Sequence, residues 1–350
     1  MPTIQDVARL ARVSPSSVSN ALNGRTQRMR QETFERIQKA IKQLNYQPNQ
    51  IARHLKTGQL PILGMLVPST ANPSFGELAV AIESVAQKMY NYRLLVCNTQ
   101  RDTAIESAML NDLISLGIKV VIVNSSLADT AHLSLAAKKG VTIISYDTRP
   151  DSMTPLPYDH VYPDSHMTGW LAANHLIAHG HQHLALVKPA GRTISRHEKT
   201  AGFIHAAHMA RPKIKTTIIE VPTTQSYGDT ELGKIGFEAA HEIAINPSRP
   251  TGVVAINDMI AIGLMAGLRQ HNLQIPRDVS VIGMDNIPTT EFTWPPLTTM
   301  AMPVQAMATT IVERALQHIQ TPHTLPDVFC FTPTLLERQS VSTALSSHEG

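Results

Sequence analysis

The sequence predicts two fold classes in one chain: an all-α helix-turn-helix headpiece, then an α/β core of two doubly wound lobes built on parallel sheets. Three observations predict it. Positive charge is concentrated in residues 1–60, where 10 Lys and Arg face 3 Asp and Glu, against 20 and 24 in residues 61–350. That segment also carries helix-period apolar positions (Ile4, Val7, Ala8, Val13, Val18, Leu22, Ile37, Ile41, Leu44), so it is a folded unit and not a solvated basic tail. Beyond it, short apolar runs bounded by turn residues alternate with helical segments, the pattern of parallel strands covered by helices.

Composition narrows the classes. The chain has 350 residues, 43% of them hydrophobic, enough for a sizeable core and against disorder. Its two cysteines, Cys97 and Cys330, lie in separate apolar runs and read as buried reduced thiols, which points to a cytoplasmic setting. No charged-then-apolar leader opens the chain, and no run approaches the ~18 apolar residues of a membrane helix, so no membrane partner is expected. A basic segment on an acidic body is the asymmetry of a chain in which one part meets a polyanion.

Taken in order, Thr3 with Asp6 three positions on opens a short helix over residues 4–11 as a capping-box-like pair. Ser14 is a second N-cap with Pro15 at the first helical position, and the helix runs to Leu22 with Val18, Ala21 and Leu22 turned inward. Two short helices joined by a tight turn let the second reach base edges in a major groove. The candidate DNA-contacting positions within Ile4 to Asn23 are Ser14, Pro15, Ser16, Ser17, Ser19, Asn20 and Asn23. A third helix, roughly Gln31 to Asn45, covers the pair with Phe34, Ile37, Ile41 and Leu44.

TIQDVARLARVSPSSVSNALNG followed by LNYQPNQIARHLKTG resembles the lactose-repressor-type (LacI/GalR) family, and the similarity runs on to about residue 340. The resemblance implies a headpiece over 1–46 and a hinge over 47–60 that enters the minor groove, with Leu55 as an apolar wedge and Asn49, Arg53 and Lys56 as the other hinge positions. It further implies a core over 61–350 that binds an effector and dimerises. In that core, lobe 1 spans about 61–160 plus 291–322, and lobe 2 about 161–290 plus 323–340. Two departures stand out. Asn20 occupies a position where the family commonly has arginine or histidine, which favours adenine as its partner. Arg30 stands where serine usually caps the third helix, leaving that helix start less well satisfied.

In the core, strands are expected at Ile62–Val67, Leu94–Cys97, Val120–Val123 and Val141–Tyr146, then at Leu184–Val187, Ile218–Val221, Val253–Ile256 and Val279–Ile282. The helices between them lie near 77–90, 105–116, 167–179, 201–209, 232–244 and 260–271. Segments near Thr289–Met302 and His323–Pro326 are expected to cross between lobes, giving the periplasmic-binding-protein-like architecture the resemblance implies. Such sheets bind ligands beyond the carboxyl ends of their strands.

The candidate effector residues are Phe75, Arg149, Asp164, Lys199, Asn257 and Asp285. Phe75 matches the aromatic that the family turns to its effector, and core at a helix start is the competing reading. Arg149 and Asp164 follow strands, Arg149 also suiting a surface ion pair. Lys199 replaces a family arginine and offers a point charge instead of a bidentate fork. Asn257 and Asp285 match the family, whereas Asp258 reads as a cap for the following helix.

His175 and His179 share a helix face at the spacing of a zinc pair, but the stretch matches a family helix end, so the structural reading is taken and neither metal nor cofactor is expected. The function implied is a sequence-specific transcriptional regulator, a repressor whose affinity for double-stranded, near-palindromic operator DNA is set by a small molecule, a sugar or sugar derivative. With no leucine heptads after LLERQS, a homodimer is expected. No phosphate loop or nucleophile elbow supports an enzyme.

Overall fold

The computed structural model describes residues 2–22, 24–27, 29–46, 60–124, 130–147, 149–150, 156–224, 230–321 and 323–344. The chain divides into two compact units, residues 1–60 and 61–350.

In the first unit, α1 (Ile4–Ala11), α2 (Pro15–Leu22) and α3 (Gln31–Gln43) enclose a core of Val7, Ala8, Ala11, Val18, Ala21, Ile37 and Ala40. Thr3 and Asp6 form the capping box, the Thr3 amide donating to Asp6 Oδ2 at 2.9 Å and the Asp6 amide to Thr3 Oγ1 at 3.3 Å. Arg12 closes α1 in the left-handed conformation at φ 54°. Ser14 Oγ accepts from the Ser17 amide at 3.1 Å, so α2 starts where its cap and Pro15 place it. Arg30 makes no side-chain cap to α3.

The second unit holds two six-stranded sheets of matching topology. The first runs β11-β5-β4-β3-β1-β2 and is parallel throughout. Its strands are β1 (Ile62–Val67), β2 (Arg93–Asn98), β3 (Val120–Val123), β4 (Thr142–Tyr146), β5 (Asp159–Pro163) and β11 (Val328–Phe331). The second runs β12-β10-β9-β8-β6-β7, with β6 (His183–Pro189), β7 (Lys215–Val221), β8 (Gly252–Ala255), β9 (Ser280–Asp285), β10 (Thr298–Ala301) and β12 (Thr334–Leu336). Only the β10–β12 pair is antiparallel among its described pairings.

Helices cover both faces, so β1 is buried on each side and reads as a continuous apolar run. Leu63, Met65 and Val67 pack under α4 (Pro73–Tyr90) and α11 (Val304–Gln320), while Leu66 meets Leu110 and Leu113 of α5 (Thr103–Ser115). The remaining helix of this lobe is α6 (Ala131–Lys138). The second lobe has α7 (Ser165–Ala178), α8 (Ile194–Met209), α9 (Leu232–Ile245) and α10 (Asp258–Gln270) around one apolar core. Among the described residues no helix is long and apolar enough to cross a membrane.

The crossings between lobes differ from the expected segments. The chain passes from β5 to α7 at Asp164, from β10 to α11 at Met302 and Pro303, and from β11 to β12 at Thr332 and Pro333. Thr298–Ala301 therefore belongs with the second sheet and not with the first lobe, and Val328–Phe331 belongs with the first sheet and not with the second lobe. β10, β11 and β12 are only three or four residues long, too short for a periodic signal. The cysteines need correction too: Cys330 is exposed and Cys97 half-buried, both free, because β11 and β2 are the two edge strands of the first sheet.

Two glycine pairs set how closely helices approach. A Cβ on Gly169 of α7 would overlap the Lys199 carbonyl of α8, and one on Gly202 of α8 would overlap the His166 carbonyl of α7. Gly236 of α9 and Gly263 of α10 are constrained in the same way. Gly202→Ala is therefore expected to destabilise the core by about 3 kcal/mol, since two backbones must separate. Chemical denaturation reads it directly, and an unchanged midpoint would contradict the close crossing.

Candidate functional site

The headpiece surface comes from α2. Val18 and Ala21 face the core, so Ser14, Pro15, Ser16 and Asn20 are left exposed, and Ser17 and Ser19 half-buried. Asn20 is pinned through its backbone, its carbonyl accepting from the Arg25 amide at 3.0 Å, and its side chain projects from a fixed helix. The other positions expected to touch DNA, Asn23 in the turn and Asn49, Arg53, Leu55 and Lys56 in the hinge, lie outside the described residues.

The second site is a cleft at the carboxyl ends of both sheets, where the strand order reverses on either side of β1 and β6. Of the six expected effector residues, Phe75, Lys199, Asn257 and Asp285 line it. Arg149 and Asp164 are not among its lining residues. Asp164 instead caps α7, accepting from the Met167 amide at 2.8 Å. Arg149 is exposed, and its charge acts on Glu198 and Tyr162.

Helix starts converge on this cleft. Asn72 caps α4, accepting from the Ser74 amide at 3.2 Å, and Asn257 caps α10, accepting from the Ile260 amide at 2.9 Å. The expected cap Asp258 is thus corrected by one residue. It is fully buried and accepts from Thr299 Oγ1 at 2.6 Å and the Ile287 amide at 2.9 Å, which ties α10 to the segment after β9. α8 adds Ser195, Arg196 and Lys199. Arg196 escaped the sequence reading, although it stands one turn before Lys199 and so shares its helix face. Glu77, Arg101, Tyr146 and Asp147 were also missed: Glu77 lies in the first turns of α4, Arg101 in the loop after β2, and Tyr146 and Asp147 at the end of β4, scattered positions that share no motif.

The charges nearly balance: Arg101, Arg196 and Lys199 face Glu77, Asp147 and Asp285. Lys199 Nζ lies 3.7 Å from Asp285 Oδ1 and donates to the Ile256 carbonyl at 3.4 Å, both side chains being under 15% exposed, at 13% and 12%. Burial raises the Asp285 carboxyl above its ordinary range; Lys199 opposes the rise, while Asp258 and Asp147 add to it. Burial likewise raises Asp258 against the hydrogen bonds it accepts from Thr299 and the backbone. Asp285 sits at φ 118°, Asp147 at 68° and Arg101 at 55°, left-handed backbone that side-chain-bearing residues rarely adopt. Three such residues in one cleft are strain concentrated at a site.

Glu77 carries a testable consequence. Burial, with Asp285 nearby, pushes its carboxyl from 4.5 up to about 6, and its Oε1 is buried with no hydrogen-bond partner. The folded state thus holds the proton more tightly than the unfolded one. The resulting stabilisation is complete below pH 4.5 and lost as pH rises through about 6. Glu77→Gln should flatten that part of the melting-temperature profile, and an unaltered slope would remove Glu77 as its source.

Comparison with known proteins matches both units of the chain. The family model for bacterial regulatory proteins of the lacI family matches residues 3–49, and that for a periplasmic binding protein-like domain matches residues 173–341. The HTH-type transcriptional repressor PurR of Aliivibrio fischeri is 32% identical over 347 residues, covering 99% of this chain and 100% of that protein. Among solved structures, a LacI family transcriptional regulator from Enterococcus faecium with bound ribose is 28% identical, with a TM-score of 0.68 over 81% of this chain and 100% of that one. The lac repressor dimer bound to operator and the anti-inducer ONPF shares the fold, with a TM-score of 0.80 at 23% identity over 97% of this chain and 99% of that one. With a basic helix-turn-helix unit, a two-lobed core with a polar cleft and full-length similarity to repressors, the chain belongs to the lacI family of bacterial DNA-binding transcriptional regulators.

Proposed function

We propose that the protein is a dimeric repressor that reads a near-palindromic operator through α2 and is controlled by a small uncharged ring compound in the cleft. The observation that carries the effector reading is the balance of three cations and three carboxylates around Phe75. A net-charged ligand would leave one set uncompensated, whereas a neutral ring with several hydroxyls or ring nitrogens satisfies both and presents a face to the phenyl group. Within that class the first reading is a sugar or sugar derivative, supported by the ribose held by the Enterococcus faecium relative. The second is a purine base, supported by the relatives named PurR and by the second aromatic, Tyr146.

On this reading the hinge residues Asn49, Arg53, Leu55 and Lys56 act in the minor groove, and effector binding shifts the lobes and thereby the hinge. Arg149 and Asp164 serve beside the cleft, as a partner for Glu198 and as the α7 cap. The protein works as a cytoplasmic regulator and not as an enzyme, in keeping with relatives that are named as repressors.

Thermal melting of the full chain with ribose, a pentose panel and purine bases separates the two effector readings. Stabilisation by sugars alone supports the first, and by bases alone the second; no shift with any of them would remove both. At the DNA end, Asn20→Ala should relax preference at one base pair per half-site, worth about 1–3 kcal/mol. Competition binding with single-base operator variants measures it, and an unchanged preference profile would take Asn20 out of base reading.

A further inference from the structure

One cluster of the core unit shares no residue with the cleft. His175 and His179 stand one turn apart near the carboxyl end of α7, so their imidazoles leave the same face, with ring centroids 4.4 Å apart. The chain's far end brings a third group: Glu337, directly after β12, is exposed beside them. One potential ligand atom from each of His175, His179 and Glu337 lies within 4.8 Å of the other two.

The two rings are prepared differently for the same task. His179 Nδ1 donates to the His175 carbonyl oxygen at 2.8 Å, which can only accept. The proton is thereby held on Nδ1 and the lone pair left on Nε2, the arrangement by which an outer hydrogen bond orients a metal-binding imidazole. His175 Nε2 is buried with no hydrogen-bond partner, an unpaired group of the kind that asks for an explanation. Among the described residues no hydrogen bond joins the Glu337 carboxylate to either ring. Two packed histidines beside an exposed glutamate would be the plain alternative, and it leaves Nε2 of His175 unsatisfied.

The geometry points to a divalent metal site of two imidazoles and one carboxylate, His175, His179 and Glu337, with water completing the coordination. Nitrogen and oxygen donors in this ratio suit a borderline ion such as Zn²⁺. The C-terminal segment already lies along the end of α7, the Ala344 amide donating to the His179 carbonyl at 2.8 Å and His181 Nε2 pairing with the Ser342 carbonyl at 3.1 Å. A metal here would clamp that segment to α7, making it a brace for the second lobe. The site is independent of the effector reading.

The test uses the full chain, stripped with chelator and titrated with Zn²⁺, beside His179→Gln and Glu337→Gln. Expected are one ion bound per wild-type chain, affinity at least tenfold weaker in each variant, and a melting temperature raised by the ion in wild type alone. Glu337 is exposed, so its variant keeps the fold if His179→Gln does not. Affinity within tenfold of wild type in Glu337→Gln would place the ion on other histidines of the chain and overturn the site, as would no stoichiometric binding by wild type.

Discussion

Arg314→Leu is expected to destabilise the core by roughly 3–5 kcal/mol, the cost of leaving a buried carboxylate without its cation. Asp159, at the start of β5, is 0% exposed. Arg314 of α11 donates to it twice, from Nε at 2.8 Å and Nη2 at 2.9 Å, and the Asp327 amide adds a third bond at 2.8 Å. His318 Nε2 lies 3.1 Å from the same carboxylate, and the guanidinium also covers the Phe329 ring at 5.5 Å. One ionic cluster thus joins β5, α11 and the segment entering β11, elements distant in sequence. For a unit of this size the loss amounts to roughly 10 °C in melting temperature. The double variant Asp159→Leu with Arg314→Leu should recover much of it, because the unpaired charge is gone. A loss below about 1 kcal/mol in the single variant, by calorimetry or denaturant titration, would show that water or another group neutralises Asp159.

Lys199→Met is expected to abolish the response to effector, with affinity falling about 100-fold, near 2.7 kcal/mol. Lys199 is one of the three cations in the cleft and is held between Asp285 Oδ1 and the Ile256 carbonyl. Its removal leaves Asp285 buried among carboxylates, so that group rises further and exchanges a charged acceptor for a protonated one. The variant should still bind operator DNA when effector is absent, since the headpiece is a separate compact unit. Lys199→Arg should rescue only part of the affinity, since the fork of a guanidinium replaces a point charge. Calorimetric titration checks the loss, and retained affinity would move the effector away from α8.

What could be read in the sequence was whatever is decided locally. Thr3 with Asp6 and Ser14 with Pro15 set the headpiece helix starts within four residues of chain, and β1 announces itself because both its faces are buried. Contributions from distant segments could not be read in that way. β5 begins with Asp159 and His160, polar residues that are nonetheless buried, Asp159 against Arg314, so only Val161 and Tyr162 are left as an apolar mark, too short a run to announce a strand. Cys330 lies in an apolar run yet is exposed, since edge position is a property of sheet order. In the cleft, Lys199, Asn257 and Asp285 stood out through resemblance, while Arg196 had no mark beyond its place one turn before Lys199. The pairing of His175 and His179 with Glu337 needed the whole fold, because the carboxylate missing from the helix arrives from the last strand.

The central claim is that α2 reads sequence in double-stranded DNA under control of the core. Selection of bound duplexes from a random pool by the full-length protein tests it most directly. The account predicts a single enriched motif with two similar half-sites related by a dyad, one for each headpiece of a dimer. Recovery of DNA with no shared motif, at an affinity equal to that for random sequence, would contradict it.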